Sequence, residues 1–330
     1  MLALGLQGSP RKKGNSDILL DRFMEELARL GCATRIIDAA SRHIEPCKEL
    51  TVCERKGTCP IKDDMDGEIY ALLRKADLVV AASPVFFYGV SAQLKALIDR
   101  CQTLWARRYM LKLDDPASAI RRGFLLSVGA TTGKQLFDGI HLTARYFFDG
   151  ISAAYAGSLT YRRIEGRGKI NEQPDLARDI SRAAAELTDG LTGRPKVLYV
   201  CADNACRSQM AAAFTTLYAG RYVDADCAGF QPADGVDSMM VAVMQEKGID
   251  MGFRTIQSLS VALSDHHPDH LVTLGREAAV PEWSGAGLQN WDVPDPGTQS
   301  IETMRALRDE IERRVKAYVG QLNPSAEWKK

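Results

Sequence analysis

The sequence predicts an α/β protein of two three-layer units, each a parallel sheet with helices on both faces. Short apolar runs alternate with helical periodicity twice over, the pattern of strands buried on both sides and joined by crossover helices. The 330 residues also exceed what one hydrophobic core usually organises. Between the two alternating blocks lies Thr188-Asp-Gly-Leu-Thr-Gly-Arg-Pro195, whose two Gly and one Pro mark a short connection.

In the first block the strand candidates are Leu2 to Leu6, Thr34 to Ile37, Leu78 to Ala82, Gly123 to Val128 and Ile151 to Leu159. Helical periodicity covers Asp17 to Leu30, Gly67 to Lys75, Ala92 to Trp105, Gln135 to Phe148 and Pro174 to Leu187. Five strands are enough for a flavodoxin-like doubly wound sheet, and this domain is set at residues 1–190. The second block restarts at Lys196 to Val200. It continues with a helix near Ser208 to Tyr218, a strand near Tyr222 to Ala228, a helix at Asp237 to Lys247, a strand at His270 to Leu274 and an amphipathic helix at Ile301 to Leu322. This smaller parallel-sheet domain is set at 196–325. The Asn323 to Lys330 tail reads as disordered.

Composition excludes several functions. Hydrophobic residues make up 45% and charged residues 25%, and 42 basic residues cancel 42 acidic ones, so there is no footprint of a nucleic-acid binder. No stretch approaches a membrane span, and the first ten residues do not read as a signal peptide. Eight cysteines without a secretory signal point to free thiols in a reducing compartment, the cytoplasm.

Strand one ends in Gly8-Ser9-Pro10-Arg11-Lys-Lys-Gly14-Asn15-Ser16, and a helix follows directly. Unpaired amides at a helix start attract a phosphate, and Arg11 can add a bidentate clamp. By itself the stretch is also an ordinary turn and cap. A second loop, Ser83-Pro84-Val85-Phe86-Phe87-Tyr88-Gly89, leaves the carboxyl end of the third strand, the edge at which open α/β sheets bind ligands. Its three aromatics either pack under the loop or lie against a flat ligand. A third loop, Ser127 to Gly133, supplies further donors at that edge.

From about Leu2 to Gly190 these residues resemble the NAD(P)H-dependent flavin oxidoreductase family that includes iron–sulfur flavoproteins. The resemblance rests on the Gly-Ser-Pro-Arg loop, the Cys-rich segment ending Gly57-Thr-Cys-Pro-Ile-Lys-Asp63-Asp64-Met65, and the run from Ser83-Pro-Val to Asp99-Arg100. It implies FMN as cofactor with NAD(P)H as electron source, Ser9, Arg11, Asn15 and Ser16 at the phosphate, and Pro84, Val85, Phe86, Phe87, Tyr88 and Gly89 along the ring. It also implies a homodimer. In the cluster-binding branch four close thiolates hold a [4Fe–4S] centre. Here Leu50 stands between Cys47 and Cys53 where a cysteine is expected, and only Cys59 follows. With three candidate ligands the segment is read as a long loop of reduced, partly buried thiols, and no metal is assigned.

In the second block the decisive segment is Cys201-Ala-Asp-Asn204-Ala-Cys206-Arg207-Ser208, a Cys, five intervening residues, then Arg-Ser, between a strand and a helix. That spacing wraps a loop around a tetrahedral anion with amides inward, the helix dipole behind and the guanidinium gripping two oxygens. The same positive field favours the thiolate of Cys201, the nucleophilic form. Ser208 can hydrogen-bond it and Asn204 can brace the loop. Downstream, Trp291-Asp-Val-Pro-Asp295-Pro-Gly297 is a rigid acidic turn whose Asp295 could act as general acid.

From Lys196 to about Leu322 these features resemble low-molecular-weight phosphatases, and more closely their arsenate reductase branch. Gly248-Ile-Asp250-Met and Arg305 to Val315 add to the likeness. The resemblance implies a small oxyanion substrate, with Cys201 as nucleophile, Arg207 as anion clamp and Asp295 as proton donor. Phosphotyrosine phosphatases place an aromatic after the Asp-Pro pair, whereas this chain has Gly297. Ester hydrolysis needs no electrons and arsenate reduction needs two, so the fused flavin unit also favours the reductase. Thioredoxin-coupled relatives carry two further cysteines after the third strand, but Thr273 to Trp283 has none. Cys206, Cys227, a first-domain cysteine and a soluble thiol remain candidates for the resolving role. The alternative functions are a redox-controlled phosphatase and an oxyanion-binding module fused to a quinone or flavin reductase. His266-His267-Pro-Asp-His270 is read as solvated loop histidines, and Arg121-Arg122 and Arg162-Arg163 as solvated charges.

Overall fold

The structure is a computed structural model that describes residues 1–275, 287–297 and 300–322. The chain separates into two compact units, Met1–Lys112 with Ile120–Thr192, and Leu113–Ala119 with Gly193–Lys330. Among the described residues no helix is long and apolar enough to cross a membrane. The Asn323 to Lys330 tail lies outside the described residues.

The first unit is a five-stranded parallel sheet in the order β2-β1-β3-β4-β5, with β1 Leu2–Gln7, β2 Ala33–Asp38, β3 Leu78–Pro84, β4 Arg122–Val128 and β5 Ala154–Tyr161. Central strand β3 is buried almost throughout, whereas edge strand β2 is largely open and edge strand β5 mostly half-buried. Consecutive strand residues face opposite ways, and β4 shows what each face holds. Phe124 stacks on Phe23 of α1 (Asn15–Arg29) at 5.1 Å, while a Cβ on Gly123 would come 2.2 Å from Phe148 of α6 (Asp138–Gly150). Helices α1 and α6 therefore cover opposite faces. On α1 the buried Leu19, Leu20, Phe23, Met24 and Leu27 fall at helical spacing, each contributing about 1.5–3 kcal/mol by burial. Next to α1, Ser181 of α7 (Leu176–Thr188) donates to Glu26 at 2.8 Å.

The first unit departs from the sequence reading at several places. The helix expected over Ala92 to Trp105 is two, α4 Ala92–Arg100 and α5 Gln102–Tyr109. It breaks at Cys101, beside Arg100, whose guanidinium is drawn inward by Asp63, a tertiary contact invisible to periodicity. The segment expected as a helix from Gly67 opens with a wider π turn, Met65–Ile69, before α3 Tyr70–Lys75. A short α2 (Val52–Lys56) was not expected. Arg121 is not a solvated charge: it is fully buried and donates to the carbonyls of Ala76, Ile151 and Arg74 at 2.8, 3.1 and 2.7 Å. Arg162 is also engaged, donating to Gly133 O at 2.7 Å.

The second unit is a four-stranded parallel sheet in the order β7-β6-β8-β9, with β6 Lys196–Cys201, β7 Asp224–Gly229, β8 His270–Leu274 and β9 Gly287–Trp291. On β6, Val197, Tyr199 and Cys201 face a core built with α8 (Arg207–Ala219), α9 (Ser238–Glu246) and α11 (Ile301–Leu322). Leu198 and Val200 face the other way, onto Leu259 and Ala262 of α10 (Leu259–His266). Strand β9 and helix α10 were not expected, because Gly-Leu-Gln-Asn-Trp is a half-exposed edge and α10 starts from a Ser258 cap in a polar stretch. Leu113–Ala119 joins this unit through Asp114, which exchanges backbone hydrogen bonds with Gly248 and Asp250 at 2.7 and 2.9 Å. Of the histidines read as solvated, His267 is exposed, but His270 opens β8 half-buried and edge-on to Tyr318 at 6.3 Å. Gly287 is needed opposite it, since a Cβ there would meet His270 Nδ1 at 2.1 Å.

Candidate functional site

The parallel register brings Gln7 level with Ala82, and Ala82 level with Leu126, so the loops after β1, β3 and β4 leave one edge together. Chain direction diverges between β1 and β3, the switch point at which such sheets hold ligands. Buried hydroxyls pin that edge: Ser127 donates to Ser83 O at 2.8 Å, Ser91 N donates to Ser83 Oγ at 3.0 Å, and the Ser91 hydroxyl donates to Gly8 O. Gly8 itself lies so near α4 that a Cβ would sit 2.8 Å from that of Leu94.

The phosphate-loop residues divide into two kinds. Asn15 donates to Gly166 O at 2.8 Å and accepts from Ile170 N at 3.2 Å, so its amide braces a neighbouring loop. Ser9 shapes its own turn, its Oγ accepting from Arg11 N at 3.2 Å. Asp17 also folds the loop, accepting from Gln7 and from Lys13 N, both at 2.6 Å. The start of α1 has no side-chain cap, Ser16 is buried there, and Arg11 is exposed beside it. An uncapped helix start with a hydroxyl and a guanidinium at hand fits a phosphate monoester.

The turn after β3 resolves the two readings of its aromatics. Phe86 and Gly89 exchange backbone hydrogen bonds of 3.0 and 2.9 Å around Phe87 and Tyr88, whose φ values are 48° and 63°. Two bulky residues hold the left-handed conformation that usually calls for Asn-Gly. They do not pack under the loop: Phe86, Phe87 and Tyr88 are 49%, 104% and 53% exposed. The turn sits on the third loop and the start of α6, since Cβ atoms at Gly133 and Gly139 would come 3.2 Å from Tyr88 Oη and 2.4 Å from Tyr88 O. A flat apolar wall beside a phosphate pocket suits a flavin mononucleotide.

Cys47, Cys53 and Cys59 line one cavity of about 400 Å³ together with Leu50. Cys47 is exposed and the other two are half-buried. Among the described residues no three His, Cys, Asp or Glu side chains stand in metal-holding geometry. With Leu50 in place of a fourth thiolate, the donor set does not fit a four-thiolate cluster.

In the second unit the loop between β6 and α8 is held from outside. The carbonyls of Cys201, Ala202, Asp203 and Ala205 accept from the backbone N–H of Phe230, Gln231, Ala233 and Asp237 at 3.2, 2.8, 3.0 and 3.0 Å. Because a trans peptide sets its N–H opposite its C=O, the following amides turn toward the loop's interior. Gly229 lets β7 approach this closely, since a Cβ there would lie 2.7 Å from Asn204 N.

Side chains complete the cradle. Asn204, at φ 59°, donates to Ser208 Oγ at 2.9 Å and accepts from Gln257 N at 3.0 Å. Ser208 Oγ, already accepting from Asn204, lies 3.1 Å from Cys201 Sγ, within hydrogen-bond distance of the sulfur. Arg207 is 1% exposed and donates to Val293 O at 3.1 Å and to Asp295 at 2.6 Å. The half-exposed Asp295 is fixed in turn by Gly297 N at 2.9 Å. Five of the expected residues, Cys201, Asn204, Arg207, Ser208 and Asp295, thus meet in one place.

The sixth, Cys206, turns its Sγ toward Met304 at 3.6 Å, where burial pushes its thiol up. Cys227 of β7 lies beneath the loop within reach of Asn204, its thiol pushed up to about 12 by burial. Sequence reasoning missed Asp203, which accepts from Ala205 N at 3.0 Å and lies 3.6 Å from Cys201 Sγ. It also missed Gln257 and Gly229. Asp203 had a signal in its place inside the loop; Gln257, 53 residues from its partner, had none.

Fold and sites together define a mononucleotide-type open sheet joined in one chain to an oxyanion cradle with a cysteine at its base. Comparison with known proteins gives the family. The sequence model of the NADPH-dependent FMN reductase family matches residues 1–135, and that of the low molecular weight phosphotyrosine protein phosphatase family matches residues 196–327. The chain is 38% identical over 158 residues to an iron–sulfur flavoprotein of Archaeoglobus fulgidus, covering 48% of this chain and 77% of that one. With an iron–sulfur flavoprotein of Methanocaldococcus jannaschii it shares 41% over 104 residues, 32% of this chain and 53% of the relative. It is 31% identical over 131 residues to the glutaredoxin arsenate reductase of Synechocystis, covering 39% of this chain and 98% of that protein. Two of the flavoprotein relatives are matched over only about half their length, 53% and 45%. The chain belongs to both families, as a fusion of a flavoprotein-type FMN reductase unit with an arsenate reductase-type unit of the low molecular weight phosphatase family.

Proposed function

We propose that this protein reduces arsenate to arsenite, with Cys201 as nucleophile and with electrons from NAD(P)H delivered through FMN bound at the first unit's sheet edge. The observation that carries the reading is the outward anchoring of four carbonyls in the Cys201 loop, which turns the following amides inward where a tetrahedral anion would sit, with Arg207 following in the same loop. Arsenate draws Arg207 off Asp295, and the freed carboxyl serves the departing oxygen. Sulfur of Cys201 forms an S–As bond as one As–O bond breaks, and the oxygen leaves as water with a proton that Asp295, once freed from Arg207, takes from solvent and passes on. A second thiol then attacks Cys201 Sγ, making a disulfide and leaving the electron pair on arsenic as arsenite. Cys206, in the loop but turned onto Met304, and Cys227, buried beneath the loop, are this unit's candidates, and a soluble thiol is another. The flavin, when bound, supplies the two electrons that return the disulfide to thiols. Ser9, Arg11, Asn15 and Ser16 shape and hold its phosphate end, and the Pro84 to Gly89 turn walls its ring.

The same cradle accepts phosphate, but Gly297, with φ 50°, offers no aromatic wall for a phosphotyrosine ring and its backbone resists one. NAD(P)H oxidation by the purified protein, with and without arsenate, tests the reading. Arsenate should accelerate it in the wild type and leave Cys201→Ser unchanged. Turnover of p-nitrophenyl phosphate without reductant, and no response to arsenate, would instead establish a phosphatase.

A further inference from the structure

We propose that Cys47, Cys53 and Cys59 form a three-thiol capture site for trivalent arsenic, the product of the reaction assigned above to the second unit. This rests on that assignment only for the physiological source of the ligand.

Three observations converge on the first unit's cavity. All three cysteines line the same space of about 400 Å³, and the fourth donor position is taken by Leu50, an apolar side chain 51% exposed. Soft thiolates select soft ions, and a set of three suits one that needs three bonds and keeps a lone pair, as arsenic(III) does. Tetrahedral zinc and a cubane cluster both need a fourth ligand. The wall also contains Arg100, 1% exposed, held by Asp63 and donating to Glu45 O at 2.8 Å, whose Nε has no hydrogen-bond partner. That fixed positive charge lies within electrostatic reach of Cys59.

Capture is a condensation without electron transfer. Each thiol sulfur forms one As–S bond, one As–O bond of arsenous acid breaks, and the thiol proton leaves with that hydroxyl as water; three such exchanges release three waters. The sulfurs are not yet at bonding separation. Closure therefore brings the exposed Cys47 onto the half-buried Cys53 and Cys59.

The test uses the full-length, FMN-loaded protein titrated with sodium arsenite, in a Cys201→Ser background so that the loop nucleophile does not report. The readouts are near-ultraviolet As–S absorbance and the number of thiols protected from a disulfide reagent. One arsenite per chain should protect three thiols. Each of Cys47→Ser, Cys53→Ser and Cys59→Ser should weaken binding by at least about tenfold, the loss that even outer-shell changes cause at ion sites. Leu50→Ala should not. Retained flavin absorbance in each variant shows that the unit is folded. Unchanged protection in these variants would overturn the proposal, and so would iron–sulfide absorption at these cysteines after anaerobic reconstitution. Arsenite is supplied directly, so a chain that fails to reduce arsenate yet binds arsenite here refutes the function and leaves the site standing.

Discussion

The Cys201 loop and the aromatic turn after β3 are both connections at the carboxyl ends of parallel strands, yet they are finished to different degrees. Around Cys201 nearly every polar group has a protein partner: Asn204 joins Ser208 and Gln257, Arg207 joins Val293 and Asp295, and the carbonyls are tied outward. Around Phe86 to Tyr88 the backbone is bent into a left-handed turn and the rings face solvent. On the function proposed, the first site is preorganised for an ion that contributes charge but little surface. The second leaves its apolar wall to be covered by a ligand that brings surface of its own.

That contrast can be broken in order of expected effect. Cys201→Ser should lower arsenate-dependent NAD(P)H oxidation by about 10³-fold or more while leaving NAD(P)H oxidation with an artificial acceptor intact; equal loss of both would mean the units do not work separately. Arg207→Lys keeps the charge but not the two-pronged grip, and should cost roughly 10²-fold in kcat/KM for arsenate. Asn204→Ala removes the brace and should destabilise the second unit by about 2 kcal/mol in chemical denaturation, with the flavin signal of the first unit unmoved. Replacing Phe87 and Tyr88 by Asn and Gly should have the opposite sign in the first unit. It should raise flavin-free stability by about 1 kcal/mol and weaken FMN binding, because the turn relaxes as its wall is lost.

The smallest effect separates site rigidity from ordinary helix stability. On α11, hydrogen bonds from Arg313 and Arg314 hold the Glu310 carboxyl down to about 2, well below its usual range. A depressed carboxyl stabilises the fold fully above its unfolded value, and the contribution is lost as pH falls from about 4.5 toward about 2. With the side chain 35% exposed, solvent screening leaves well under about 1 kcal/mol. Glu310→Gln should therefore flatten the drop in thermal midpoint between pH 5 and pH 3 only slightly, without altering arsenate turnover.

Much of this was legible in the residues because the strongest signals are local. Buried parallel strands write continuous apolar runs, so β1, β3 and β6 stand out, and Cys201, Arg207 and Ser208 lie within eight residues of one another. What was hidden depends on distant partners. The break at Cys101 follows from Arg100 meeting Asp63, 37 residues away, and the burial of Arg121 follows from three carbonyls at the ends of α3 and α6. Edge strand β9 writes no apolar run at all. The split of roles among Ser9, Asn15 and Ser16 was equally invisible, since all three side chains can donate to phosphate and only the fold shows that Asn15 is already engaged.

The central claim is that electrons held in the first unit reach an oxyanion bound over Cys201. Its most direct test is a single turnover: reduce the flavin anaerobically, remove excess NAD(P)H, add arsenate, and follow flavin reoxidation alongside arsenite. The account predicts one arsenite for each flavin reoxidised, and none in Cys201→Ser. A flavin that stays reduced in the presence of arsenate, with thiols available, would contradict it.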